Sequence, residues 1–333
     1  MTIRLAFIGC GYINRVHANV ALQLHGVELS AVVNHRTDSM QKFAEDFSIP
    51  RNYLALEDLI ADGGIDAVVI ATPNQLHASQ SILALQAGLN VLVEKPMAMN
   101  AVEARAMLAA AVENQKTLMI AHCWRYEPQV RWLGRQILSG KIGGVVRTKG
   151  YSRHIGWGPE GWFKQKSLAG GGAMADLGVH SIDTARFLLG DPLPLSVFAR
   201  IGTFYKSMDV DDTATVLINW DNGSYSLIES GWWQPESDDE HTSALVFGTQ
   251  GYGRIFPPQI RTGEEIEQPP LTPEPDWEEM YQVQMAAFIE QILNQDHSVT
   301  SAKNGMINMQ IVDAAYESAR SGRLVMIEET GKN

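Results

Sequence analysis

Residues 4–14 read RLAFIGCGYIN. A run rich in apolar residues (4–9) ends at Gly9-Cys10-Gly11, and apolar residues at helical spacing follow from Tyr12 to residue 24. A strand that turns on glycine straight into a helix is the opening unit of a dinucleotide-binding sheet. The first glycine permits a tight turn, and the second lets a pyrophosphate approach the backbone. The helix N-terminus then offers N–H groups and the positive end of its dipole. Asn14 stands where the usual third glycine would be. The pattern is generic by itself, but its strand-turn-helix context makes Gly9, Gly11, Tyr12, Ile13 and Asn14 the candidate cofactor-binding residues.

Working outward, apolar runs at 27–34, 66–71, 89–93 and 117–121 alternate with helical stretches at 39–47, 75–87 and 101–113. Short apolar strands alternating with helices predict a parallel sheet covered on both faces. After about residue 123 the pattern changes. Residues 145–154 read as a longer strand and 173–189 as a helix. Strand-like runs at 195–204, 213–220, 224–232 and 244–247 then follow one another, with a hairpin signal at Asp221-Asn222-Gly223. The fold class is therefore α/β: an N-terminal Rossmann sheet over 1–123, then a domain over 124–333 with a large, mostly antiparallel sheet. Six prolines between 257 and 276 mark a surface excursion, and helices near 277–293 and 304–320 close the chain.

Composition narrows the partners. Lys and Arg total 26 against 38 Asp and Glu, a net charge of −12 that disfavours nucleic acid and anionic membranes. No run approaches the ~18 apolar residues of a membrane span, and residues 1–15 read as a first strand rather than a signal peptide. Two cysteines, Cys10 and Cys123, make no disulfide framework; a reducing compartment, the cytoplasm, fits.

Three strand ends carry further polar signals. Asn34-His35-Arg36 follows the second strand, where a carboxylate would bind the ribose hydroxyls of NAD. Arg36 could instead pair with a 2′-phosphate, which favours NADP over NAD, while Asp38 keeps NAD open. Thr72-Pro73-Asn74, with His77, lies at the carboxyl end of another strand, the side that faces the ligand crevice, where Asn74 could also cap the next helix. Glu94-Lys95-Pro96 sets two opposite charges and a turn-fixing proline at a third strand end.

These motifs, with Ala87-Gly88, Arg125-Tyr126-Glu127-Pro128 and Gly170-Gly171-Gly172 followed by Asp176, Gly178, His180 and Asp183, resemble the glucose–fructose oxidoreductase / inositol dehydrogenase / MocA (Gfo/Idh/MocA) family over nearly the whole chain. Glu-Lys-Pro together with the later glycine, aspartate and histidine series in this order is specific. The resemblance implies a C-terminal α/β domain with an open sheet, a nicotinamide cofactor and a sugar or cyclic polyol substrate. It also implies a homodimer or homotetramer built through the sheet. It adds Glu94 and Lys95 to the cofactor contacts. The run Ala121-His122-Cys123-Trp124 departs from the family, where Gly and Asn are common, and puts substrate contacts from that segment in doubt.

Moving a hydride to or from an alcohol carbon also moves a proton on its oxygen, so the chain must supply a group that holds that proton. Asp176 and His180 are four apart, roughly 40° around an α-helix and so on one face, with Asp183 a turn later. Imidazole suits proton exchange near neutrality. Lys95, expected across a cleft from this helix, can stabilise developing alkoxide charge. The resemblance implies the trio Lys95, Asp176 and His180 as catalytic and substrate-binding, with the acid/base role open between Lys95 and His180. Arg125, Arg153, His154, Trp157, Trp162 and Trp232 are the other candidates to line a substrate pocket, while Trp220 and Trp277 read as core or interface. A zinc site at His154, Asp176 and His180 lacks any supporting spacing, so no metal is expected. The leading function is an NAD(P)-dependent dehydrogenase or reductase of a sugar, inositol or related polyol. The alternatives are an NAD-dependent glycosidase working by transient C3 oxidation, and a non-catalytic dinucleotide sensor.

Overall fold

The computed structural model of the chain describes residues 2–235, 242–269, 277–298 and 300–328. Two units emerge: Met1–Cys123 with Asp276–Met306, and Trp124–Pro275 with Ile307–Asn333.

The first unit carries β1 (Ile3–Ile8), α1 (Tyr12–Leu22), β2 (Val27–Val33), α2 (Thr37–Asp46), β3 (Arg51–Tyr53), α3 (Leu56–Asp62), β4 (Ala67–Ile70), α4 (His77–Gln86), β5 (Asn90–Val93), α5 (Ala101–Glu113) and β6 (Leu118–Ile120). The strands pair in parallel in the order β3-β2-β1-β4-β5-β6. Strand order reverses between β1 and β4, the switch point where an open α/β sheet binds its ligand outside the carboxyl ends of the strands. β4 and β5 are buried along their whole length, as strands covered on both faces must be.

The second unit carries α6 (Pro128–Leu138), β7 (Val145–Ile155), α7 (Lys166–Ala169), α8 (Val179–Leu188), β8 (Pro194–Gly202), β9 (Thr213–Trp220), β10 (Tyr225–Gln234), β11 (Thr242–Gly248), β12 (Gly251–Arg254), β13 (Gln259–Thr262) and β14 (Glu265–Glu267). With β15 (Val325–Met326) they form one sheet in the order β14-β13-β12-β11-β7-β10-β9-β8-β15. β7 and β10 pair in parallel and the other pairs are antiparallel. α8 packs on one face: Ser181 Oγ lies 3.0 Å from Ser152 Oγ, and the Ser181 carbonyl lies 3.6 Å from where a Cβ of Gly150 would be. The opposite face carries the cross-strand row Phe198, Leu217, Leu227, Lys149 and Leu245.

Four sequence expectations are corrected. The stretch read as a surface excursion does lie at the surface, but it is ordered as the edge strands β13 and β14, with only Ile260 buried; residues 270–276 of that stretch lie outside the described residues. The helix read over 173–189 opens as a π-helical turn, Met174–Gly178, before α8 begins. The N-terminal domain is not continuous in sequence: α9 (Trp277–Leu293) belongs to the first unit because Met285, Phe288 and Ile289 join the core of Leu5, Phe7, Val32 and Val69. Trp277, read as core or interface, is 58% exposed at the first position of that helix, which removes the core half of that reading, whereas Trp220 is buried. α10 (Thr300–Ser321) starts in the first unit and ends in the second. Among the described residues no helix is long and apolar enough to cross a membrane.

Candidate active site

The glycine turn leaves β1 at Gly9, whose φ of +96° suits glycine and whose missing Cβ would sit 2.6 Å from the Ala71 carbonyl oxygen after β4. Gly9 is thus demanded by the protein itself. Gly11 is different: nothing lies within 4 Å of where its Cβ would be, and no side chain caps the first turn of α1. An open approach to backbone N–H groups at a helix N-terminus is the cradle a pyrophosphate needs, so these residues fit a dinucleotide. Asn14 is fully buried and its Nδ2 donates to the carbonyls of Ile8 (3.0 Å) and Gly9 (2.8 Å). It therefore shapes the turn from beneath. Tyr12 is exposed and Ile13 half-buried beside it. Burial pushes the Cys10 thiol up to about 11, more than Arg15 lowers it, so no thiolate sits in this anion cradle.

After β2, Asn34 Nδ2 donates to Ser39 Oγ (2.7 Å) and to the Arg36 carbonyl (3.1 Å). Asn34 shapes the loop, and Arg36, the N-cap residue of α2, is left exposed at the strand end.

After β4, Thr72 Oγ1 donates to Gln80 Oε1 at 2.7 Å. Pro73 leads into a short 3₁₀ turn, Asn74–Leu76, so Asn74 lies inside that turn; Leu76 occupies the N-cap of α4, without a side-chain cap. The helix-capping reading of Asn74 is corrected accordingly. His77 is 1% exposed, with Nε2 2.9 Å from the Thr72 carbonyl and Nδ1 2.9 Å from the Pro96 carbonyl. Burial lowers its pKa, so the neutral ring donates to one of these carbonyls and lies against the other; packed between the two strand-end loops, it presents almost no surface to a cofactor. After β5, Glu94 is likewise buried: Oε1 lies 2.8 Å from His17 Nε2, and Oε2 accepts from the Lys95 backbone N–H at 3.2 Å. Burial would raise the Glu94 pKa, but the His17 hydrogen bond and charge, with Lys95 adding, hold it below the usual carboxylate range. Glu94 is therefore an internal anchor rather than a surface for cofactor. Lys95 follows, half-buried.

In the second unit, Gly171 and Gly172 are required by packing, because a Cβ on either would overlap Tyr316 or the Asp211 backbone. Asp211 is the residue that sequence reasoning missed. Its Oδ1 accepts from Gly172 N–H (2.8 Å) and from the Tyr316 hydroxyl (2.7 Å), and its Oδ2 accepts from Met174 N–H (2.8 Å). It caps the start of the π-helical turn that carries Asp176. Burial raises the pKa of Asp211 against these bonds, and burial and Asp211 together push the Tyr316 phenol well up. The only sequence signal was an acidic pair, Asp211-Asp212, before a strand. Asp176 Oδ2 accepts from the Trp232 indole N–H at 3.2 Å. Trp232 is fully buried, so it orients a carboxylate rather than stacking on a ligand. His180 is half-buried on α8. Because Asp176 lies in a π-helical turn, the 3.6-residue arithmetic that set it on one face with His180 does not hold through that segment.

Arg125 is withdrawn from the substrate pocket. Its Nε and Nη2 donate to Asp183 (2.7 and 2.9 Å), and its Nη1 and Nη2 donate to Asp191 (2.9 and 2.7 Å). Arg153 packs over the Tyr151 ring at 4.4 Å, and His154 stacks on Trp157 at 3.6 Å. Trp162 stacks on Phe163 at 3.9 Å. Trp157 is 51% exposed, whereas His154, Trp162 and Phe163 are half-buried. Among the described residues no group of three or more His, Cys, Asp or Glu could hold a metal ion.

Comparison with known proteins places this geometry. Residues 3–122 match an oxidoreductase family profile described as an NAD-binding Rossmann fold, and residues 130–254 match the GFO/IDH/MocA C-terminal domain. D-glucoside 3-dehydrogenase of Escherichia coli is 28% identical over 97% of both chains. Rhizopine catabolism protein MocA of Rhizobium meliloti is 30% identical over 77% of this chain and 79% of its own length. Among solved structures, GenD2 from gentamicin A biosynthesis, in complex with NAD, superposes with a TM-score of 0.87 at 27% identity, covering 98% of this chain and 97% of GenD2.

Proposed function

The chain belongs to the Gfo/Idh/MocA family and is an NAD(P)-dependent oxidoreductase; on that premise we propose that it transfers a hydride between nicotinamide and a sugar, inositol or related polyol or keto-sugar. The observation that carries the reading is the cradle after β1: a Gly11 open to an incoming group, above an uncapped α1 N-terminus, beside the switch point of the sheet. Gly9, Gly11, Tyr12, Ile13 and Asn14 form the turn that would hold the pyrophosphate, and Thr72, Pro73 and Asn74 line the next strand end. When bound, the nicotinamide supplies the hydride acceptor or donor. The proton is this chain's task. In oxidation His180 is the group assigned to take the substrate hydroxyl proton and the Lys95 ammonium the group assigned to lower the hydroxyl pKa; in reduction both roles reverse. Asp176, held by the Trp232 indole, orients the imidazole or binds a second hydroxyl. Arg153, His154 and Trp162 contact the substrate.

Arg36 makes NADP the preferred cofactor, since an exposed guanidinium at the end of β2 can pair with a 2′-phosphate. Titrating NAD and NADP by protein fluorescence tests this: Arg36→Ala should erode the preference for NADP, and a clear preference of the native protein for NAD would end the reading. The partly exposed row Phe198, Leu217 and Leu227, followed by Lys149 and Leu245, supports docking of a second copy in a homodimer or homotetramer.

The decisive experiment is a screen of sugars and cyclic polyols, myo-inositol and methyl glucosides among them, against NAD and NADP, followed by nicotinamide absorbance. His180→Ala and Lys95→Met should each cut turnover about 10²–10⁴-fold with little change in cofactor binding. Full activity in either variant removes that residue from the mechanism. A second reading shares with the D-glucoside 3-dehydrogenase relative only oxidation at C3: here that oxidation would be transient, followed by glycoside cleavage with the cofactor regenerated. Release of sugar from a glycoside without net NADH would select it.

A further inference from the structure

We propose that His17 is a positioning residue for Lys95: by holding Glu94 it fixes the backbone from which the lysine projects, and so ties helix α1, which receives the dinucleotide, to the proton-handling group. This rests on the reading of Lys95 given above.

Both flanks of Lys95 are anchored by buried histidines. On the far side His77 spans the Pro96 and Thr72 carbonyls at 2.9 Å each. On the near side the Glu94 carboxylate spans His17 Nε2 (2.8 Å) and the Lys95 N–H (3.2 Å). His17 is fully buried on α1, one turn after Asn14, which holds the glycine turn. Its Nδ1 has no hydrogen-bond partner among the described residues; the Glu94 carboxylate can only accept, so the bond between them is donated by the Nε2 N–H. The groups facing Glu94 are His17 from α1, Lys95 beside it, His77 from α4 and Tyr281 from α9, which hydrogen-bonds Cys123.

Stability alone does not call for this arrangement. Well-packed apolar side chains often replace a buried ionic pair without loss. What the carboxylate adds is a direct bond to the backbone N–H of Lys95, and what His17 adds is a fixed place for that carboxylate. A shift of α1 therefore becomes a shift of Lys95, and small displacements of a reacting group are costly in rate.

The test uses the full-length protein, with NAD or NADP and the most rapidly converted sugar or polyol from the screen. His17→Ala should lower kcat by about 10- to 100-fold, with the KM for substrate and the fluorescence-measured cofactor affinity changed less than about threefold. His17→Gln, which can place an amide N–H near the position of Nε2, should restore most of the loss. Should His17→Ala fail to fold, His17→Gln and Glu94→Gln carry the test: the first should stay near native turnover and the second should fall with the Ala variant's pattern. The proposal is overturned if His17→Ala keeps native kcat, if its loss lies in cofactor affinity instead, or if His17→Gln is as impaired as Glu94→Gln. Lys95→Met separates the two readings. An active Lys95→Met defeats the role of the lysine and this proposal with it; an inactive one beside a fully active His17→Ala defeats this proposal alone.

Discussion

At Arg125 the guanidinium gives Asp183 and Asp191 two hydrogen bonds each, and Asn308 Nδ2 adds one to Asp183 Oδ1 at 2.7 Å. Asn308 in turn accepts from Arg186, whose pKa burial pulls down to about 10. Burial opposes charge on Arg125 too, but Asp183 and Asp191 reverse the effect and raise its pKa. Removing one partner from such a cluster leaves charge without compensation. Asp183→Ala should therefore cost about 3–5 kcal/mol in urea unfolding, and a loss under 1 kcal/mol would show that the cluster is not structural. Glu94 gives a pH signature. Its folded pKa is held below the ordinary ~4.3, so its ionised form stabilises the fold above that value and the benefit is lost as pH falls through the lower folded value. The stability gap between native protein and Glu94→Gln should be wide at neutral pH and close in acid; melting curves that keep a constant gap would contradict this.

At the scale of elements, the two glycines of the first turn serve different masters. Gly9 is fixed by its φ and by the Ala71 carbonyl, whereas Gly11 has an extended φ of −71° and open space. Gly11→Ala should keep native stability to within about 0.5 kcal/mol yet lose dinucleotide affinity at least about 10-fold, as a methyl group enters the pyrophosphate approach. Gly9→Ala should instead lower the melting temperature, through about 1–2 kcal/mol of left-handed strain and the clash with Ala71. Equal cofactor affinity in native protein and Gly11→Ala would move the anion elsewhere. The turn was legible in advance because strand, glycine and helix are contiguous. The π-helical start of the second-unit helix was not: its cap, Asp211, lies 37 residues from Met174 in sequence, and no local pattern announces such a partner.

At the scale of the whole molecule, α9 shows why sequence order misleads. It follows the entire second sheet, yet Phe288 packs in the core of the first unit and is fully buried there. Phe288→Ala should destabilise the protein by about 3–5 kcal/mol and weaken dinucleotide binding through the first unit, an outcome calorimetry with and without cofactor would read. On the other sheet, Phe198 is 39% exposed and pairs with Leu217 in the partly exposed row. Leu217→Lys should shift light-scattering mass toward the single chain with the fold intact. Unchanged mass would send the oligomer contact to another surface.

The sequence by itself determined the alternating strands and helices, the glycine turn, the change to an antiparallel sheet and the family, because each is a local period or a contiguous motif. The tertiary structure alone decided which chemically apt side chains were already occupied: Arg125 by two aspartates, Glu94 by His17, His77 by two backbone carbonyls. A residue type states what bonds a side chain can make. Only the folded chain, by burying it beside a particular partner many residues away, settles which of them it does make.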